Sequence, residues 1–297
     1  MRVLIAVDGS KPALDAVRMV GRLLDPASDL VALYYSPRDL EKRVPQASRS
    51  IIGGAAAAVF DDARGALPPD IAARAEFLQS DSAAAVGILT SASQWQADMV
   101  VVGARGHGGL QNLMLGSVSR AVVHGGDRPV LVVREAVAEG RGLKVLACHH
   151  PASAAAVAKA LGHIHWPAGT EGLVIGVAES LLAGPLPSWL ENRVRDPDTA
   201  SVAKAWQQEH DDEVTALGGV LDAFAGTLPL VFRSAKPIIA QGNPGEKIVA
   251  TAKDRGVDLI VLGRTPTDPL SRWLIGSTSE AVLGRATGSV LIVPVER

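Results

Sequence analysis

Short apolar runs alternate along the chain with longer segments whose apolar residues recur every three or four positions. The runs are continuous, which is typical of strands buried on both faces of a parallel sheet. The longer segments are typical of helices that pack one face on such a sheet. This alternation predicts an α/β fold with crossover connections. The strands predicted in the first half cover residues 3–7, 30–35, 72–78, 98–102 and 129–133.

Helices are predicted between these strands. Pro12 stands at the start of the first helical segment, a position that proline favours because its φ already suits a helix. An alanine-rich helix is predicted to end near residue 66, and two further helices cover residues 83–94 and 117–124.

The second half repeats the plan, with strands predicted at residues 145–148, 173–178, 228–233, 259–262 and 290–293. Residues 98–133 align with residues 258–293 without a gap, and the glycines coincide as well as the apolar strands. We therefore predict two tandem, doubly wound domains, each with a five-stranded parallel sheet. Their predicted bounds are residues 1–136 and 143–297, joined by a linker. The identical pairs include Asp98/Asp258, Gly103/Gly263, Gly116/Gly276, Ser117/Ser277 and Ser119/Ser279.

Composition narrows the class of protein. Of 297 residues, 47% are hydrophobic and 20% are charged, so a packed core is expected rather than disorder. A net charge of −2 offers no electrostatic attraction for nucleic acid or an anionic membrane. No apolar run approaches the roughly 18 residues of a membrane span, and the apolar run at residues 3–7 is too short for a signal peptide. A single cysteine, Cys148, excludes an internal disulfide, and the chain is predicted to be cytoplasmic.

A glycine-rich segment carries the candidate chemistry. Gly103 follows a predicted strand, Gly106 comes three positions later, and nine residues separate Gly106 from Gly116 and Ser117 at a helix start. Backbone N–H groups at such a helix start attract phosphate, and the Ser117 hydroxyl is able to donate to it. Asp8 follows the first strand and belongs at the same edge of the sheet. The alternative is that the glycines only make turns and that Ser117 only caps its helix.

This glycine spacing, together with the segment Val3-Leu-Ile-Ala-Val-Asp-Gly-Ser10, resembles the universal stress protein family, in particular its tandem two-domain members. The resemblance covers nearly the whole chain. It implies a five-stranded parallel sheet with helices on both sides, and pairing of the two domains through their last strands. It also implies binding of ATP, AMP or ADP, with Mg²⁺ on the phosphates, where the glycine motif is intact.

The resemblance further implies roles for individual residues. Asp8 would contact the adenine and ribose side, and the end of the second strand, Tyr34 or Tyr35, would line the adenine pocket. We take Tyr35 as the candidate, with a place in the sheet core as its alternative. The residues implied on the phosphate side are Gly103, Arg105, Gly106, Gly116, Ser117 and Val118, the last through its backbone N–H.

The second half departs from the pattern at two positions. His150 aligns with Asp8, and Pro266, which lacks an N–H, replaces the middle glycine. Arg264 adds a positive charge, so a reduced anion site stays open as an alternative. We expect the second half to act mainly as the built-in partner of the first in an intramolecular pseudo-dimer, with a homodimer of chains as an additional level of assembly.

Motifs for catalysis and metal binding are missing from the sequence. No Ser/His/Asp arrangement, nucleophile elbow or Walker lysine is present, so we predict a binding protein with no catalytic residues. Slow ATP hydrolysis, an ATP pyrophosphatase-like enzyme and a nucleotide-independent dimeric interaction protein are the alternatives. Neighbouring His149 and His150 would point to opposite faces of a strand, so we expect no metal site there. His107 in the glycine loop would either reach a terminal phosphate or stay solvated. The apolar segment 181–190 is a candidate partner interface, or packs on its own domain.

Overall fold

The computed structural model describes residues 1–37, 49–105, 115–135, 137–138, 140–178, 197–264 and 276–295. For residues 49–53 and for parts of 197–210, only the backbone is described. Most of the glycine loop, including Gly106 and His107, lies outside these ranges, as do Pro266 and the apolar segment 181–190.

Strands and helices alternate as the hydrophobic pattern predicts. The strands are β1 Arg2–Ala6, β2 Leu30–Tyr35, β3 Glu76–Gln79, β4 Met99–Gly103, β5 Val130–Val133, β6 Lys144–Cys148, β7 Glu171–Ala178, β8 Ile238–Gln241, β9 Leu259–Arg264 and β10 Ser289–Pro294. The helices are α1 Lys11–Gly21, α2 Arg49–Gly65, α3 Pro69–Ala72, α4 Ala84–Gln94, α5 Ser117–Gly125, α6 Ala154–Gly162, α7 Pro197–Thr227, α8 Pro244–Arg255 and α9 Ser277–Arg285.

The strands form one ten-stranded sheet in the order β3-β2-β1-β4-β5-β10-β9-β6-β7-β8. Neighbouring strands run parallel except at the centre, where β5 and β10 pair antiparallel. Leu131 lies opposite Leu291 in that pair, and the order of strands reads outward identically in both halves. The fold class is confirmed: two doubly wound parallel sheets join edge to edge as a pseudo-dimer. The pairing through last strands that the resemblance implies is also present.

Two helix layers cover the sheet, and the residues of each strand alternate between them. Val3 and Ile5 face the layer of α1, α2, α6 and α7, whereas Leu4 faces the layer of α4, α5, α8 and α9. Each layer forms a hydrophobic cluster that continues across the boundary between the halves. Burial of each such aliphatic side chain contributes about 1.5–3 kcal/mol.

Two predicted strands are wrong in position. Residues 228–233 form no strand, because Pro229 begins a short 3₁₀ helix, Leu230–Phe232. Phe232 is buried while Leu230 is 76% exposed, although alternate residues of a strand would face the same side. The strand that pairs with β7 at this edge of the sheet is β8, which begins later in the chain, at Ile238. In the first half, the predicted strand 72–78 begins too early, because Pro69 starts helix α3 and the strand starts only at Glu76.

Side-chain hydrogen bonds fix the linker that joins the two halves. The Arg22 guanidinium donates to the carbonyl oxygens of Val137 and Ala138, each at 3.1 Å, and to that of Arg141. Arg141 in turn forms a bidentate pair with Asp258, at 2.9 and 2.6 Å. The linker is therefore attached to both halves, although the bounds 1–136 and 143–297 remain predictions. Within the part of the chain that the structure describes, no helix is both long and apolar enough to cross a membrane.

Candidate functional site

The candidate site lies where the strand order of the first half reverses, between β1 and β4. In an open α/β sheet, ligands bind at this point beyond the carboxyl ends of the strands. The chain after β1 is held to β2 by a hydrogen bond from Val7 N–H to the Tyr34 carbonyl, at 2.8 Å. One carboxylate oxygen of Asp8 accepts from Ser10 N–H at 3.0 Å, which orders the turn into α1. Asp8 therefore lies at the edge of the sheet that the sequence predicts.

Gly103 ends β4 and faces the start of α1. A Cβ atom at this position would lie 3.0 Å from the backbone carbon and oxygen of Pro12. Glycine therefore suits the close approach of the first turn of α1 to β4, since a larger residue would require the backbone at Pro12 to shift by a few tenths of an ångström. The Gly103 carbonyl accepts from the Ser119 hydroxyl at 2.6 Å, which fixes α5 behind the strand. Gly103 thus has a packing role whatever it does for a ligand.

The N-terminus of α5 opens at the same edge. Gly116 N–H donates to the Ala104 carbonyl at 2.8 Å, and the first hydrogen bond within the helix runs from Arg120 N–H to the Gly116 carbonyl at 2.9 Å. The N–H groups of Ser117, Val118 and Ser119 precede that bond and have no acceptor within the helix. Ser117 is exposed. Three backbone donors and one hydroxyl are therefore grouped beside Gly103, as anion binding requires.

Two arginines lie near the start of the glycine loop. Arg105 directly follows the Gly103–Ala104 turn, and Arg134 follows β5, the strand next to β4. Burial lowers the pKa of the Arg134 guanidinium, and the charge of Arg105 lowers it further. The Arg134 guanidinium donates to the Leu283 carbonyl of the second half, so Arg105 is the arginine that adds positive charge at the start of the loop.

The tyrosines at the end of β2 both have places in the core. Tyr35 is 5% exposed and meets Phe60 edge-on, with 6.1 Å between the ring centroids. Tyr34 lies on the other face of the sheet, where its hydroxyl is 2.8 Å from the Ser80 hydroxyl. The Tyr35 ring therefore lies in the core beside the sheet, as the alternative interpretation predicts. Stacking of this ring on a base stays a prediction.

The second half preserves the architecture of this edge with different chemistry. His150 replaces Asp8, and its Nδ1 accepts from Ala152 N–H at 3.3 Å, the same turn that Asp8 makes. Gly263 is needed for packing, because a Cβ there would lie 2.1 Å from the Cβ of Ser153. The Arg264 guanidinium donates to the Val123 and Gly126 carbonyls of the first half, at 3.2 and 3.0 Å. The positive charge that would serve an anion is therefore bound across the boundary between the halves.

The side chains of Cys148, His149 and His150 have different surroundings and do not form one cluster. The Cys148 thiol is buried, which raises its pKa and disfavours the thiolate that binds metals. The His149 ring meets Phe224 edge-on, with 5.1 Å between centroids. Among the residues that the structure describes, no group of three or more histidine, cysteine or acidic side chains is placed to hold a metal ion.

Burial, followed by the charge of His150, holds the pKa of His149 below its ordinary value. The unfolded chain therefore binds this proton more readily than the native state, and the free energy of unfolding falls as the pH drops below the ordinary imidazole value of about 6.5. We expect the melting temperature of His149→Gln to fall less than that of the wild type when the pH is lowered from about 7.5 to about 5.5. Thermal melts check this, with His163→Gln at an exposed position as the control. Equal losses in wild type and His149→Gln would contradict it.

Comparison with known proteins identifies the family. The sequence profile described as the Universal stress protein family matches residues 1–134 and 192–294. The chain belongs to the universal stress protein family. A solved universal stress protein of Archaeoglobus fulgidus aligns over 99% of this chain and 96% of its own, with 18% identity and a TM-score of 0.62. A Pseudomonas aeruginosa PAO1 protein of unknown function aligns over 99% of this chain and 92% of its own, with 15% identity and a TM-score of 0.57. At these identities, the likeness establishes the shared tandem fold.

Matches to curated universal stress proteins are more local. A protein of Methanocaldococcus jannaschii is 41% identical over 58 residues, which are 20% of this chain and 36% of that protein. Universal stress protein A homolog 2 of Coxiella burnetii is 49% identical over 47 residues, which are 16% of this chain and 32% of that protein. The chain thus spans about a third of the length of these relatives.

Several residues that fix the strands and helices, at both edges of the sheet, were given no role from the sequence. Ser119 stands in the repeat as an identical pair with Ser279, and both hydroxyls donate to the carbonyl of the preceding strand's glycine. Asp98 and Asp258 were also visible as a pair, and each accepts the N–H of the first residue of a neighbouring strand, at 2.6 and 2.8 Å. The contacts of Arg134 and Arg264 depend on how the halves pack together and leave no sequence signal.

A cavity of about 700 Å³ lies elsewhere, between α1, the end of α2 and the linker. None of the seven predicted site residues that the structure describes lines it. Its Arg22 already donates to three linker carbonyls, so we assign the cavity no part in the candidate site.

Proposed function

We propose that the first half binds an adenine nucleotide, ATP or its di- or monophosphate, at the edge between β1 and β4. One observation supports this most strongly. Helix α5 is fixed behind β4 by the Gly116–Ala104 and Ser119–Gly103 hydrogen bonds, and its first N–H groups, which have no acceptors within the helix, lie at the same edge as Arg105. A phosphate group meets both requirements of that site, hydrogen-bond acceptors and negative charge.

The other ligand contacts follow from the family resemblance. Asp8 would accept from the ribose or the adenine, while Ser117 and Val118 would donate to phosphate. Mg²⁺, when bound, would neutralise phosphate charge. Because the described residues offer no cluster of metal ligands, we expect phosphate oxygens to supply most of its coordination.

We further propose that nucleotide occupancy controls how this cytoplasmic stress-response protein meets a partner. The second half would then serve as a fixed structural partner. Calorimetric titration of the full chain with ATP, and analysis of nucleotide in the freshly purified protein, test the proposal. Saturable binding of one nucleotide per chain is expected. Absence of both bound and titratable nucleotide would instead favour the interaction protein that works without nucleotide.

Asp8 provides a graded test. Asp8→Asn keeps an oxygen that can accept from Ser10 N–H but removes the charge, whereas Asp8→Ala removes both. Loss of one hydrogen bond worth about 0.5–1.5 kcal/mol predicts a Kd for ATP raised about 2- to 12-fold in Asp8→Ala, with a smaller rise in Asp8→Asn. His150→Ala, at the equivalent position of the second half, is the control and should bind as the wild type does. Equal weakening by Asp8→Ala and His150→Ala would contradict the assignment.

A further inference from the structure

The two halves meet through side chains as well as through β5 and β10. His124 Nε2 of helix α5 lies 2.7 Å from one carboxylate oxygen of Glu280 in helix α9, and Arg120 lies 3.9 Å from the other. These side chains are partly exposed, with 24% for His124 and 35% for Glu280. One acidic residue of the second half therefore faces two basic residues of the first.

Two further side chains of the second half bind the first. Arg264 donates to the carbonyls of Val123 and Gly126 at the C-terminal end of α5, where carbonyl groups have no donor within the helix. The buried Ser289 hydroxyl accepts from Arg134 N–H at 3.2 Å, just beyond the end of β5. We call Arg264, Glu280 and Ser289 the pairing residues.

Each pairing residue has a counterpart in the first half that cannot make the same contact. The repeat places Arg120 opposite Glu280, Ala104 opposite Arg264 and Pro129 opposite Ser289. The register of β5 and β10, centred on Leu131 and Leu291, confirms this equivalence at the boundary. A second copy of the first half, seated where the second half sits, would lack the acceptor hydroxyl of Ser289. Capping of the helix end does not distinguish the two pairs, because Arg134 of the first half already donates to the Leu283 carbonyl, the equivalent of Val123. The second copy would also bring one Arg120 against another.

We propose that the pairing surface of the first half accepts the second half of this chain and rejects a copy of itself, and that Glu280 is the main determinant of this choice. The contrast is one of charge: an attractive contact in the native pair becomes a like-charge contact in a pair of first halves. Like-charge contacts at an interface are disfavoured strongly enough to exclude wrong partners. This specificity does not depend on nucleotide binding.

The test uses the full chain with a protease recognition sequence inserted in the linker. After cleavage, the halves are mixed through a mild urea step, the urea is removed, and native mass spectrometry counts the species. Only complexes with one copy of each half are expected. Pairs of first halves as abundant as the mixed pairs would overturn the proposal.

Glu280→Arg, made in the same cleavable chain, should raise the Kd between the halves at least about 10-fold, and Arg120→Glu added to it should recover most of that loss. Glu246→Arg is the matched control, because Glu246 pairs with Arg285 at 3.6 Å within the second half. If Glu280→Arg does not fold, Arg120→Glu alone sets two carboxylates together and should weaken pairing to a similar extent. Variants at 280 and 120 that pair as tightly as Glu246→Arg would overturn the role of Glu280.

Discussion

Ser117→Pro is expected to abolish most nucleotide affinity while leaving the protein as stable as before. Ser117 is the first residue of α5, where proline is well tolerated because its φ suits a helix and its missing N–H has no helical acceptor. Gly116 precedes it with φ −63° and ψ 155°, an extended conformation that a residue before proline favours. The substitution therefore removes a backbone donor and a hydroxyl from the phosphate site without breaking the helix.

The expected size of this effect is large. Two hydrogen bonds to a charged group, each worth about 1.5–3 kcal/mol, predict a Kd for ATP at least about 100-fold higher. Calorimetric titration measures this, and a thermal melt should show a melting temperature within about 2 °C of the wild type.

The second half supplies the control for this substitution. Ser277 is also an exposed first residue, and Gly276 before it has φ −55° and ψ 152°. Ser277→Pro makes the same chemical change and should leave ATP binding unaltered. If Ser117→Pro binds ATP at wild-type affinity, phosphate does not bind at this helix. If Ser277→Pro weakens binding as much, the assignment of the site to the first half is wrong.

Gly263→Ala is expected to produce the largest loss of stability among single substitutions in the glycine repeat. Its new Cβ would lie 2.1 Å from the Cβ and 2.2 Å from the hydroxyl oxygen of Ser153, a side chain that is 1% exposed. Such overpacking costs about 1–3 kcal/mol, which corresponds to a melting temperature about 5–10 °C lower at the upper end of that range.

Removal of the clashing side chain should reverse the loss. Ser153→Gly leaves space for the new methyl group, and the Ser153 hydroxyl makes no capping hydrogen bond with α6. In a double-mutant cycle, Ser153→Gly should therefore recover most of the stability that Gly263→Ala loses. Gly162→Ala is the control, because a Cβ there meets nothing within 4 Å. A Gly263→Ala protein that melts with the wild type would show that packing is not the reason for this glycine.

These glycines show how much of the fold can be predicted from the sequence. The spacing of Gly103 and Gly263 was visible as a repeat, and buried strands β1, β4, β6 and β9 followed from runs that are apolar on both faces. The same reasoning failed at residues 228–233, because Pro229 begins a 3₁₀ turn inside an apolar run.

Contacts between the halves were beyond the reach of sequence patterns. Arg264 was visible only as a positive charge near a damaged motif, whereas its actual partners are carbonyls some 140 positions earlier in the chain. Backbone acceptors have no sequence signature, and which carbonyls an arginine reaches depends on how two sheets are joined. Tyr35 shows a related limit, because a pattern that predicts a strand does not show how deeply its last side chain is covered.

The anchored linker has a consequence for how the protein responds to its own abundance. Two domains joined by a short linker meet at an effective concentration in the millimolar range, whatever the concentration of the chain. Arg22 and Arg141 restrict the linker further by fixing it to both halves. A dimer of separate single-domain chains would come apart on dilution and assemble as expression rises. In this protein the paired state is already complete in every newly folded molecule, so induction changes the number of paired units but not the fraction that is paired.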